Sequence, residues 1–363
     1  MATYVVGSWS DFLDINKEAS VSSGDTIYFA DSNLDGSGNF VGSGTGTRDN
    51  PYICGTYNEM LAATGATNIY YLELVKDGDD SHGYHLYHYD GKYARHDRST
   101  TTINFNDYEE YLSGFDDFDV YCNINFNGWT LLNLKFKPSK CFRWKRASSS
   151  NVIKQLILLN CQFSHTGSNL FYCFGSDISN AATLLNDCVI HIDVQVSYNY
   201  YQAALVRGTA TSNIYRCSFT VTGNCCYWCF GHVSDSSYAI KYYDSTFDLD
   251  LNFWTIATAD KETKSYFYSC LFKGKMHWLH SANDNERKLG ILASLCIIDC
   301  TMVSSTENLE LFGFYNVGTI TLYNNQKCGG VLGATSNLVA VTTAQLKEPT
   351  TLQSKGFPIG ADA

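Results

Sequence analysis

The residues with most chemical reach are Asp248 and Asp250, set two apart in Thr-Phe-Asp-Leu-Asp-Leu. On a strand this spacing turns both carboxylates to one side, with Cβ atoms about 6–7 Å apart. Such a pair suits an inverting glycoside hydrolase or a bound cation, with Lys273 or Lys275 one repeat further along as the counter-charge. His191 and Asp193 take the equivalent outward positions in an earlier repeat. The alternative is a ladder of exposed opposite charges, each pair worth less than about 1 kcal/mol. The sequence favours the ladder, because no third acid or aromatic platform stands near the pair, and no catalytic residue is assigned. Tyr198, Tyr200 and Tyr201 share one loop and are the binding candidates, through aromatic and polar contacts.

Metal and cofactor chemistry find little support. Cys226-Tyr-Trp-Cys229 is a single CxxC without the second pair that zinc requires. His82, His85, His88 and His96 lie in a polar stretch, Asp77 to Arg98, without regular ligand spacing, and read as an exposed loop. There is no P-loop, dinucleotide fingerprint or Ser/His/Asp order, so no cofactor or metal is expected.

The elements that position these residues are strands. With 26 Tyr, 21 Phe and 28 Gly, and few segments rich in Ala, Leu, Glu or Lys, the composition is that of strands and tight turns. A hydrophobic fraction of 45% supports a large core, and 4 Pro with 17% charged residues sit badly with disorder. A net charge of −11 gives no basic surface for a phosphate backbone, which argues against nucleic acid as a partner. No apolar run reaches the roughly 18 residues of a membrane span. Met1 to Ile15 lacks the basic start and apolar core of a signal peptide, so synthesis in a cytosol is expected.

A repeat organises two thirds of the chain. A turn former, usually Cys, one further residue and a large apolar residue recur about every 27 residues, ending at Phe136, Phe163, Ile190, Phe219, Phe247, Phe272, Met302 and Lys327. The Cys column reads Leu134, Cys161, Cys188, Cys217, Ser245, Cys270, Cys300 and Asn325, and three positions earlier stands an apolar column from Leu131 and Leu158 to Leu322. This predicts an all-β chain, a right-handed parallel β-helix of about eight rungs, in which Phe136, Phe163, Phe219, Phe247 and Phe272 form one interior file. Stacked rungs hold Cβ atoms about 4.8 Å apart, too far for a disulfide, so Cys161, Cys188 and Cys217 are expected as reduced core residues.

Upstream, Ser8-Trp9-Ser-Asp11, Thr56-Tyr57-Asn-Glu59 and Asp107-Tyr108-Glu-Glu110 each read as a capped helix start followed by a strand. The expected organisation is a small α+β N-terminal module over residues 1–100, serving attachment, a β-helix over 101–330 capped by the third helix, and a C-terminal cap over 331–363.

The ladder of Asn/Asp-Cys-x-Phe rungs resembles right-handed parallel β-helix proteins of bacteriophage virions and bacterial surfaces. Gly46-Thr-Arg-Asp-Asn-Pro-Tyr52 is similar to the segment preceding β-helices in bacterial surface adhesins, and Thr342 to Pro358 to their closing segment. The resemblance implies a spike, fibre, adhesin or polysaccharide-degrading enzyme. Without an export signal or anchor, the expectation is a non-enzymatic virion part: a tail spike or fibre, head fibre or capsid appendage. Its partners would be other virion proteins, further copies of itself in a homotrimer, and host surface carbohydrate.

Overall fold

The computed structural model describes residues 1–31, 33–67, 75–76, 84–97, 101–116, 118–137, 142–144, 151–165, 171–175, 181–196, 202–224, 227–233, 238–251, 254–258, 264–268, 270–275, 294–298, 301–303, 320–323, 326–329 and 338–341. Three parallel sheets hold most of them. The first runs from Thr3–Val6 and Thr26–Phe29 through Asn123–Asn125, Val152–Lys154, Leu184–Asn186, Ser212–Tyr215, Ala239–Tyr243 and Lys264–Tyr268 to Ser294–Ile298 and Ile320–Tyr323. The second includes Thr102–Asn104, Thr130–Leu132, Ile157–His165, Val189–Val196, Ser218–Asn224, Thr246–Leu251 and Leu271–Lys275. Phe118–Val120, Phe142–Trp144, Phe171–Gly175, Gln202–Gly208, Tyr227–Val233 and Trp254–Thr258 make the third. Along the chain the strands recur in the order third, first, second, and the pairings are parallel. The architecture is a parallel β-solenoid.

The turn from the first sheet into the second is built by one residue in the left-handed conformation: Asn127, Gln155, Asp187, Arg216 and Asp244, with φ between 49° and 56°. Asn and Asp tolerate this region, which explains the turn former of the repeat. The backbone N–H of the last four donates to a carbonyl of the next coil: Gln155 to Asn186, Asp187 to Tyr215, Arg216 to Tyr243 and Asp244 to Tyr268, all at 2.9 Å. The following small residue points inward, and its side chain donates to the same carbonyls. Cys188 Sγ reaches Asn186 O at 3.3 Å, Cys217 Sγ reaches Tyr215 O at 3.3 Å, Ser245 Oγ reaches Tyr243 O at 2.9 Å, and Cys270 Sγ reaches Tyr268 O at 3.4 Å. The position therefore calls for a small core residue with one donor, which Cys and Ser both supply.

The files differ from the expected ones in phase. Phe219 and Phe247 stack at 5.3 Å and continue Leu131, Leu158 and Ile190, whereas Phe136 and Phe163 stack at 4.7 Å in a separate file that runs on to Val194. Phe163 is therefore interior but not in the file of Phe219 and Phe247. Likewise Leu131 and Leu158 belong to the second sheet, while the column that ends at Leu322 begins with Ile124 and Ile153 in the first. The reason is a second left-handed corner, Asn133 and Asn160, inside the second sheet, with φ of 60° and 49°. Cys161 there makes the same bond as the other thiols, to Leu159 O at 3.3 Å. Two corners with one local pattern were merged into a single repeat.

The N-terminal residues also depart from expectation. Ser8 and Thr56 cap helices α1 (Trp9–Ile15) and α2 (Tyr57–Thr64), accepting from the backbone N–H of Asp11 and Glu59. The first unit is not a separate module: Thr26–Phe29 pairs with Asn123–Asn125, so the first sheet runs straight through the boundary expected at residue 100. Trp9 and Phe12 of α1 pack on Phe118 at 5.5 and 5.7 Å, and α1 thus closes the aromatic end of the core. The third unit forms two short 3-10 turns, Phe105–Asp107 and Glu109–Tyr111, in place of a capped α-helix. Its Tyr111 stacks on Phe115 at 4.1 Å and adds to the plug.

The stretch expected as an exposed loop is a hairpin, Tyr84–Tyr89 with Lys92–Asp97, turning at Asp90 and Gly91 with positive φ at both. His96 is fully buried there, with Nε2 2.9 Å from Gly55 O. The closing role expected of residues 331–363 lies outside the described residues, apart from the strand Leu338–Val341.

Cys161, Cys188 and Cys217 are free and buried. Burial pushes the Cys161 thiol up to about 12 and raises Cys217 well above its ordinary value, so neither is a thiolate at neutral pH. All three should be silent to a thiol reagent in the native protein and titrate fully once it is unfolded without reductant. Cys217→Ser keeps the donor and should cost less than Cys217→Val, which leaves the second site on Tyr215 O empty; the expected gap is about 1 kcal/mol in denaturant melts.

Candidate functional site

The outer surface of the first sheet is set by the left-handed corner. The strands ending at Lys154, Asn186, Tyr215 and Tyr243 stop one residue before it, and in register with Asn125 and Tyr268 their last outward side chains form one file: Asn125, Lys154, Asn186, Tyr215, Tyr243 and Tyr268. Two residues earlier on each strand a second file passes through Val152, Leu184, Asn213, Lys241 and Tyr266. All of these side chains are half-buried, as outward groups shielded by their own neighbours would be.

Three tyrosines stack along the axis. Tyr215 and Tyr243 have ring centroids 4.7 Å apart at 11°, and Tyr243 and Tyr268 4.7 Å apart at 8°. Tyr243 has both faces covered and can offer only its edge and hydroxyl. Burial raises its pKa, helped by repulsion from Tyr215, which keeps the phenol neutral. Tyr266 stands beside Tyr268 at 6.3 Å, and Lys241 Nζ lies 5.9 Å from the Tyr266 centroid. The arrangement is a comb of neutral donors and acceptors.

The corner beside the comb is charged and internally balanced. Arg216 grips Asp187 of the preceding coil with two bonds, Nε to Oδ1 at 2.6 Å and a terminal nitrogen to Oδ2 at 3.0 Å. Asp187 is only 2% exposed, so this is a desolvated pair that compensates for placing an Arg in the left-handed region. The hydrogen bond to Asp187 raises the Arg216 pKa further. Asp244, one coil on, has its pKa raised by burial against the opposing pull of Arg216.

The residues singled out from the sequence lie elsewhere. Asp248 is in register with Lys273 and Asp250 with Lys275, while Thr220 and Thr222 precede them on the other side. Their strands are described, their side chains are not. Upstream in the file of Thr222 and Asp250, Asp193 holds Gln195 Nε2 at 2.9 and 3.0 Å and accepts from Thr222 Oγ1 at 3.4 Å. Tyr198, Tyr200 and Tyr201 lie outside the described residues. Among the described residues no group of three His, Cys, Asp or Glu is placed to hold a metal ion, and no helix is long and apolar enough to cross a membrane.

A concavity of about 720 Å³ opens beside α2 between Leu34, Phe40, Tyr52, Leu61 and Ala66, with Asn58 at its edge. The Asn58 amide is already committed to Tyr28 OH at 2.8 Å, which in turn donates to Asp31 at 2.5 Å. The walls are mixed, with Asn39 and Asn58 among the aliphatic and aromatic side chains. Sequence reading did not single out the tyrosine comb; the recurrence of Tyr215, Tyr243 and Tyr268 two positions before Cys217, Ser245 and Cys270 was the available signal.

No family model, no curated protein and no solved structure gave a match to the chain.

Two substitutions probe the corner. Arg216→Ala leaves Asp187 buried and unpaired and should destabilise by about 3 kcal/mol in chemical denaturation. Asp244 behaves oppositely. Its folded pKa lies above the unfolded value of 3.8, so it lowers stability as pH rises through that window, and the loss persists at neutral pH. Asp244→Asn keeps a side chain suited to positive φ and removes the charge. It should stabilise by roughly 0.5 kcal/mol at pH 7 after allowing for solvent screening, and by less at pH 4.

Proposed function

We propose that this chain is a non-enzymatic structural component of a bacteriophage virion, a rod that serves as tail spike or fibre, head fibre or capsid-attached appendage. The observation that carries the reading is the column of free, buried thiols inside a parallel solenoid. A protein that folds and assembles in a reducing cytosol keeps such thiols, and a virion part reaches the outside by lysis. Parallel coils give the stiffness a spike or fibre needs, since each coil is tied to the next by backbone hydrogen bonds rather than by side chains. In this reading the coil is right-handed with about eight rungs, residues 331–363 close its far end, and the N-terminal end joins the particle. The working assembly is a homotrimer that contacts other virion proteins, with host surface carbohydrate as the external ligand.

The register of Asp248 against Lys273 and of Asp250 against Lys275 is the observation that favours a second reading, a polysaccharide lyase or hydrolase. Adjacent opposite charges on neighbouring strands are equally a stabilising ladder, and the structural reading takes them as that. A surface adhesin is the third member of the resemblance and shares the rod.

Two measurements decide. Antibodies to the chain should label purified particles of the phage that encodes it; particles without label would remove the virion assignment. The purified chain should leave host surface polysaccharide uncleaved by viscosity and reducing-end assays. Cleavage that is lost in both Asp248→Ala and Asp250→Ala would establish the enzyme instead.

A further inference from the structure

The geometry points to the outer face of the first sheet, centred on Tyr215, Tyr243 and Tyr268, as the surface on which copies of this chain pack side by side with their axes parallel. It gives the proposed oligomer a specific face, and three features of that face select a second copy as the occupant.

The first is charge. The chain carries 36 Asp and Glu against 25 Lys and Arg, so two copies repel on approach. From Asn123 to Tyr268 neither outward file of the first sheet contains a carboxylate, and their charged members are Lys154 and Lys241. The second sheet carries Asp193, Asp248 and Asp250 at the equivalent register positions. An acidic chain that meets itself meets itself best where its acids are missing.

The second is self-complementarity. A surface that faces its own copy must supply both halves of each hydrogen bond. Phenol hydroxyls and Asn amides each donate and accept, whereas a carboxylate only accepts and an ammonium only donates. Tyr243, Asn186 and Asn213 fit this demand.

The third is pitch. The ring centroids repeat at 4.7 Å along the rod, and another copy of the same solenoid offers its groups at that repeat over the whole contact length. With both faces of Tyr243 covered, a sugar ring has no face to stack on at the centre of the comb. That counts against glycan as the occupant, although hydroxyl-rich glycan remains the competing outcome.

The test uses the full chain in sedimentation equilibrium, with Lys241→Glu, Tyr243→Glu and, as a control on the second sheet, Thr222→Lys. Wild type and control should associate equally. Each glutamate, repeated in every copy, should weaken association roughly 100-fold with circular dichroism unchanged. Should Tyr243→Glu misfold, Lys241→Glu decides, because its side chain is an outward surface group. A mixture of isotopically light and heavy chains, photo-oxidised, should give mixed-mass dityrosine at Tyr215, Tyr243, Tyr266 or Tyr268. A monomeric wild type, or glutamate variants that associate as wild type does, overturns the proposal. So does loss of polysaccharide binding in Lys241→Glu with association intact, which would give the face to glycan. Because the measurement needs only purified chain, its failure is distinct from a failure to label virions.

Discussion

The structure depends on one backbone interaction repeated from coil to coil: a left-handed residue whose N–H is held by a carbonyl of the next coil. That carbonyl also takes the side-chain donor of the residue two positions on in its own chain. Tyr215 O receives Asp187 N and Cys217 Sγ, Tyr243 O receives Arg216 N and Ser245 Oγ, and Tyr268 O receives Asp244 N and Cys270 Sγ. Both lone pairs of a nearly buried carbonyl are thus satisfied without water. The interaction fixes three consecutive positions at once: outward side chain, turn, inward thiol or hydroxyl.

The same economy joins the appended elements to the coil. Asn127 is the left-handed residue of the first coil, where Phe126 N–H reaches Lys154 O at 2.8 Å, and it donates through Nδ2 to Phe29 O and to Asp31, which also receives Thr56 Oγ1 at 2.8 Å. The backbone N–H of Tyr57, at the start of α2, donates to Asn127 O at 3.1 Å. Gly128 has φ of +83°, and a Cβ there would stand 2.4 Å from Tyr57 N, so only glycine lets the helix sit this close. The fully buried Glu59 carboxylate accepts from Gly55 N at 2.6 Å and Asn33 N at 2.7 Å, fixing the segment before α2. Tyr57 and Met60 then cover the outer face of the second sheet at Ile157, Leu159 and Val189. The outward residues of the first sheet stay half-exposed.

These interactions explain what could be read from the sequence. Asp187-Cys188, Asp244-Ser245 and their equivalents announce left-handed turns followed by small donors, and two helix caps follow from Ser8 and Thr56. Phase could not be read in the same way. Asn160-Cys161 and Asp187-Cys188 are locally alike down to the thiol bond, yet lie at different corners, and only the pairing of Leu158 with Ile190 across the coil separates them. The candidate face was hidden for a related reason: outward residues have no common type, changing from Asn125 and Lys154 to Asn186 and then to three tyrosines. Asp90-Gly91, by contrast, was a legible hairpin signal, yet the polar, histidine-rich stretch around it was read as an exposed loop.

That change of type along one file carries the functional argument furthest. Since the corner is held by backbone and by the inward donor, the outward residue before it can vary with little effect on the coil. Two stacked tyrosine pairs add about 1–3 kcal/mol, a gain that shorter polar groups at Asn125 and Asn186 do without in the same sheet. The tyrosines therefore serve the coil but are not required by it. What distinguishes them is a surface that is uncharged, equally able to donate and accept, and spaced at the pitch of the rod. In a chain of net charge −11, such a strip is where close approach of another uncharged or self-like surface costs least.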